Sequence, residues 1–166
     1  KEVLDIALKQ KQKVAKWMIG ELNPADVDEA WRIIATAVAQ NQLGSGAKIA
    51  PQSNLIIVYV HDFSNIDNVL DVLKTLKILI LNPYADRGAK NWGFKPDIYT
   101  MLGITGKNKY QLFATIYRVW DGETLLQKRE NYYPSGGLRA GYSFAENLAR
   151  ALCNSGGHAV PAWLLP

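Results

Sequence analysis

The residues best suited to chemistry in this chain are cations set beside aromatic rings, and the densest such stretch is NWGFKPDIYT, residues 91–100. Pro96 carries no backbone N–H and steers the residue before it away from helical backbone, so Lys95 is held extended. Its ammonium then stands on a stiff stem and suits a phosphate or a carboxylate. A solvent-facing lysine at the mouth of a strand is the plainer alternative. Trp92 offers a flat face: a base stacked on an aromatic ring gains about 1–3 kcal/mol, whereas packing over helix ends needs no ligand. Tyr99 adds a second ring to the set, and Arg87 and Lys90 share a polar loop, residues 82–93, with Trp92.

Three further cations join them. Lys48 lies between Ala47 and Ile49 in an extended segment, where period-2 alternation aims it at the polar side of a sheet. Arg118 is its equivalent in a later strand. Arg139 sits in PSGGLRAG, a glycine-rich loop whose backbone amides suit an anion. The ligand-binding candidates are thus Lys48, Arg87, Lys90, Trp92, Lys95, Tyr99, Arg118 and Arg139. For catalysis the candidates are Lys95 as a base and His61 as an acid oriented by Asp62; a turn histidine is the bland reading of His61.

Several chemistries lack their motifs. PSGGLRAG does not fit GxxxxGK[ST], and no G-x-S-x-G elbow marks a nucleophile. Cys153 is the single cysteine and His61 and His158 lie far apart, so neither a disulfide nor a zinc site is expected, and no cofactor is. The net charge of +4 permits an anionic ligand without demanding a nucleic acid. With 48% hydrophobic and 20% charged residues the chain reads as a folded domain. Its apolar runs reach about half of the roughly 20 residues that cross a bilayer, so no membrane is called and the cytoplasm, or the nucleus, is the expected location.

These side chains must be positioned by elements. Residues 1–15 read as an N-terminal helical extension and 16–166 as one α+β domain. Residues 16–22 predict a strand; Asn23-Pro24 starts a helix whose stripe is Val27, Ala30, Trp31, Ile34 and Val38, ending at Leu43-Gly44. Residues 47–51 and 54–60 are extended, the second apolar enough for a central strand. A helix capped by Ser64 buries Ile66, Val69, Leu70, Leu73 and Leu76. Strands are expected at 97–104, 110–120 and 124–133, the last two joined by Asp121-Gly122, and Ser143 with Glu146 opens another helix. The hairpin makes the sheet mainly antiparallel. About three amphipathic helices must then gather on one face of it, leaving the other face open.

Lys16-Trp17-Met18, Val27-Asp28-Glu29-Ala30-Trp31, Leu43-Gly44 with Ala47-Lys48-Ile49, Val58-Tyr59 with Asp62-Phe63, and Lys95-Pro96-Asp97-Ile98-Tyr99-Thr100 with Leu102-Gly103 follow one another in a telling order. Over roughly residues 16–120 this set resembles the basophilic leukaemia-expressed (Bles) protein family. The resemblance implies the fold of the cap-binding translation initiation factor, a curved antiparallel sheet with helices on its convex back. That factor holds its ligand between two tryptophans with an acid and several cations; Trp92 is similar to one ring, and Trp120-Asp121 loosely to the other with its acid. The C-terminal half, 109–118 with 142–153, resembles bacterial phosphothreonine lyases, without their Lys-x-His strand motif.

The leading functional expectation is a binding module taking a nucleotide, an RNA-cap-like group or a phosphopeptide on the open face of the sheet. The rivals are a phosphothreonine lyase-like enzyme and a protein-interaction domain that uses the N-terminal lysines or the apolar C-terminal tail.

Overall fold

The computed structural model describes residues 2–20, 22–50, 53–81, 92–106, 108–109 and 112–119. Along the chain run α1 (Glu2–Lys9), β1 (Ala15–Ile19), α2 (Pro24–Ala39), β2 (Gly46–Ala50), β3 (Leu55–Val60), α3 (Ile66–Leu76), β4 (Trp92–Pro96), α4 (Asp97–Met101) and β5 (Tyr117–Val119). The strands form one five-stranded sheet in the order β2-β3-β1-β4-β5, and every neighbouring pair is antiparallel. The architecture is α+β. Among the described residues no helix is long and apolar enough to cross a membrane.

Alternation along the strands divides the sheet into two unlike faces. Ala15, Trp17 and Ile19 of β1 face inward, level with Val60, Val58 and Ile56 of β3 and with Phe94 and Trp92 of β4. Tyr117 and Val119 of β5 continue that face. The rings pack directly: Trp17 and Phe94 have centroids 4.9 Å apart, Phe94 and Tyr117 5.6 Å. Onto them α2 lays Val27, Ala30, Ile34 and Ala37, and α3 lays Val69, Val72, Leu73 and Leu76. Trp17 Nε1 donates to the Val69 carbonyl at 3.3 Å, tying the central strand to α3. Each such aromatic removed from water contributes on the order of 2–3 kcal/mol, so this face holds the fold together. Ala7 of α1 is buried in the same core.

Several expected boundaries move, each for a local reason. The segment 97–104, expected as a strand, instead begins as α4, and the strand lies just before it, as β4. Pro96 ends the ladder because it cannot donate, and its φ of −61° and ψ of 139° make it the N-cap of a helix that starts with Asp97. The left-handed residue that closes α2 is Asn41, with φ 57°, where the Gln42 amide donates to the Ala37 carbonyl at 2.8 Å; Gly44, expected in that role, is left-handed too but stands further on, at the entry to β2. At α3 the cap is Asn65, whose side chain accepts from the Asn68 amide. Ser64 donates to Asp62 instead. Past Leu76 the helix widens into a π-type turn over Lys77–Leu81.

Of the strand expected at 110–120, the described residues 112–119 contain β5 alone. Residues 112–115 lie outside it, and Thr115 packs against Gly93, where an added Cβ would meet its Cγ2 at 2.7 Å. The Asp121-Gly122 hairpin, the 124–133 strand, the helix opened by Ser143 and the apolar tail lie outside the described residues.

Candidate functional site

The face of the sheet opposite the core carries the candidate site. Lys16 of β1 stands level with Tyr59 of β3 on one side and Lys95 of β4 on the other. Tyr59 pairs with Gly46, and Ile57, two residues back, pairs with Lys48 of β2. Arg118 of β5 pairs with Gly93, two residues before Lys95. A period of two therefore puts Lys16, Lys48, Tyr59, Lys95 and Arg118 on one face, because Trp17, Val58 and Phe94 take the other. The core is what orients these cations.

The polar geometry is specific. The Nζ atoms of Lys16 and Lys48 lie 5.9 and 5.6 Å from the centroid of the Tyr59 ring, so one ring serves two ammonium groups. Hydrogen bonding to Tyr59, and then its charge, push the exposed Lys48 above the ordinary lysine value. Lys16 is 6% exposed and its Nζ pairs with the Asp97 carboxylate at 2.5 Å. Asp97 is available because it begins α4, while its amide donates to the Val14 carbonyl at 2.9 Å and pins the helix start beside β1.

Lys95, at 7% exposed, differs from its neighbour. Among the described residues it makes no ion pair or hydrogen bond. Burial first, and then the Lys16 ammonium, hold it below the usual lysine value, with Asp97 opposing them. Trp92 Nε1 is the one side-chain polar atom among the described residues that is sealed from solvent without a partner. Lys95 as a residue keeps a small contact with solvent.

Two expected ligand contacts are corrected. Trp92 is fully buried, because its parity on β4 is that of Phe94; it packs in the core level with Ile19 and Val119 and has no free face for a ligand. Tyr99 is also fully buried, on the inner side of α4. Arg87, Lys90 and Arg139 lie outside the described residues, as does Trp120. His61 is exposed just beyond β3. Asp62 does not orient it, since its carboxylate accepts from Lys13 Nζ at 2.9 Å and from the Ser64 amide and hydroxyl.

Lys16, Tyr59 and Asp97 are the members that the residue types alone did not single out. Lys16 ends a run of lysines that looks like a solvated flank, and Tyr59 sits in an apolar strand. The alternation of KWM, with Trp17 the residue that must be buried, is the signal that puts Lys16 outward.

Residues 1–103 match the sequence model of the family described as basophilic leukemia-expressed protein Bles03. The match takes in Lys16, Lys48, Tyr59, Lys95 and Asp97 and stops before Arg118. It spans α1 through α4, so all of the described sheet except β5 falls within it. On that match, which covers more than half of its length, the chain belongs to the Bles03 family.

Proposed function

We propose that this chain is a binding module that takes a phosphorylated or nucleotide-like ligand on the cation-bearing face of its sheet. One observation carries the reading: a nearly buried Lys95 lies level with Lys16 on the same face as Lys48 and Arg118, and the Asp97 carboxylate pairs with Lys16. Two ammonium groups desolvated side by side are unfavourable unless an anion joins them. A phosphate offers several strong acceptors and up to two charges, and it matches both lysine and arginine donors. Tyr59 is the ring on that face for a flat group, in place of Trp92. The reading keeps the family-implied arrangement of the cap-binding translation initiation factor, with its curved sheet, and a cytoplasmic or nuclear setting.

Thermal unfolding against inorganic phosphate, a cap analogue, nucleoside phosphates and matched phospho- and unphosphorylated peptides tests the proposal. The expected result is stabilisation by phosphorylated members only, weakened about tenfold in affinity by Lys48→Ala with Arg118→Ala and retained in Lys95→Arg. No shift with any phosphorylated member overturns it. Turnover of a phosphopeptide, abolished by Lys95→Arg, would replace the binding module by the lyase reading.

A further inference from the structure

A second property follows from how differently two adjacent lysines are held. Cross-strand partners place their Cβ atoms about 4.5–5.5 Å apart, so Lys16 and Lys95 are neighbours with the same outlook. Asp97 keeps Lys16 as an ion pair. Among the described residues no acid does so for Lys95, which stands on β4 between β1 and β5 and is 7% exposed. Among the described residues, the charged and titratable groups facing it are Lys16 of β1, with Tyr59 and Lys48 beyond it, Asp97 of α4 and Arg118 of β5. Cations dominate that list, and a desolvated lysine beside a cation is the arrangement that activates an amine as a nucleophile.

We propose that Lys95 is a carbonyl-reactive amine that forms an imine with an aldehyde or ketone bearing a phosphate or carboxylate. The neutral amine adds to the carbonyl carbon and makes the C–N bond. One amine proton passes to the former carbonyl oxygen, a second proton is taken from solvent, and the C–O bond breaks to release water, leaving a protonated imine. Nothing is oxidised or reduced. Lys48 and Arg118, on the strands flanking this centre, are placed to hold the anionic group. That part rests on the anion-binding function proposed above, whereas the reactivity of Lys95 does not. The downward displacement of Lys95 agrees with this role, since a larger share of it is the free amine at neutral pH.

The test uses the full chain, substoichiometric pyridoxal 5′-phosphate or pyridoxal, borohydride reduction, and mapping of the secondary amine by mass spectrometry. Accessibility alone ranks Lys95 among the last lysines to react, behind exposed Lys9, Lys11 and Lys48. The expected result is the reverse: most of the adduct on Lys95, at least tenfold above Lys9 or Lys11, and lost in Lys95→Arg. Mapping on the native chain needs no variant, so the result stands even if Lys95→Arg fails to fold. Asp97→Asn, which removes the acid that opposes the shift, is expected to raise the labelling rate at Lys95. Adduct spread over the lysines in order of exposure overturns the proposal. The arms also separate it from the anion reading. Labelling of Lys95 by both aldehydes alike, with no competition from inorganic phosphate, supports the amine and removes the phosphate subsite. Phosphate-dependent stabilisation without a Lys95 adduct overturns the amine and keeps the subsite.

Discussion

Asp62 shows how one side chain on this fold is committed to structure. Burial disfavours its charge, but hydrogen bonds from the Ser64 hydroxyl, from Lys13 and from the Ser64 amide outweigh it and hold the carboxyl at about 2, below an ordinary 3.8. The folded value is the lower one, so the stabilisation is complete above the unfolded value and is lost as pH falls from one to the other. Equilibrium unfolding of Asp62→Asn is therefore expected to show a flatter loss of stability below about pH 4 than the parent chain, with the two curves running parallel at neutral pH. Tyr117 works at the other end of the scale. Burial raises its phenol to about 12, so its contribution is present below the ordinary 10 and disappears as pH rises toward 12. Tyr117→Phe should remove that alkaline fall, as followed by denaturant titration at several pH values.

Among the elements, the ends matter more than the middles. α3 depends on Asn65, whose side chain satisfies one of the amides left unpaired in the first turn. Asn65→Ala is expected to lower stability by about 1 kcal/mol, and Ser64→Ala to leave this cap intact. The entry to β2 is decided by close approach. Gly44 has φ 56°, and an added Cβ would sit 2.5 Å from the Tyr59 carbonyl oxygen, which also accepts from the Ser45 amide. Gly44→Ala should cost about 1–3 kcal/mol and shift the β2–β3 pairing. Because Lys48 and Tyr59 sit on those strands, the same variant is expected to weaken any ligand of the cationic face. Unfolding midpoints and a phosphate-titrated thermal shift read the two effects separately.

At the scale of the molecule, one sheet separates two jobs: its inner face makes the core and its outer face presents cations. The two tryptophans buried among the described residues serve the first job unequally. Trp17 Nε1 has a partner in the Val69 carbonyl, while Trp92 Nε1 has none. Trp17→Phe removes a buried hydrogen bond, whereas Trp92→Phe removes an orphan N–H. Denaturant unfolding should show Trp17→Phe to be the more damaging by about 1 kcal/mol, despite equal burial. Trp92→Phe, if it folds, should leave phosphate binding unchanged, because its ring lies on the face away from the cations.

What was legible in the chain was the local chemistry. The extended reading of 16–22 and the uniformly apolar, Ile- and Val-rich run LIIVYV placed strands, the Val27–Ile34 and Val69–Leu76 stripes placed helices, and Lys48, Lys95 and Arg118 stood out as cations in extended segments. Those patterns reflect periodicities that each segment carries by itself. Trp92 and Tyr99 misled for the same reason: an aromatic ring is equally suited to a ligand or to a core, and only its parity against β1 and β5 sends Trp92 inward. The pairing of Lys16 with Asp97 joins residues 81 apart. Register between distant strands is set by the packing of the whole inner face, so no local pattern could have named that pair. Residue types decided which groups were available; the tertiary fold decided which of them meet, since desolvation and charge act through space and not along the chain.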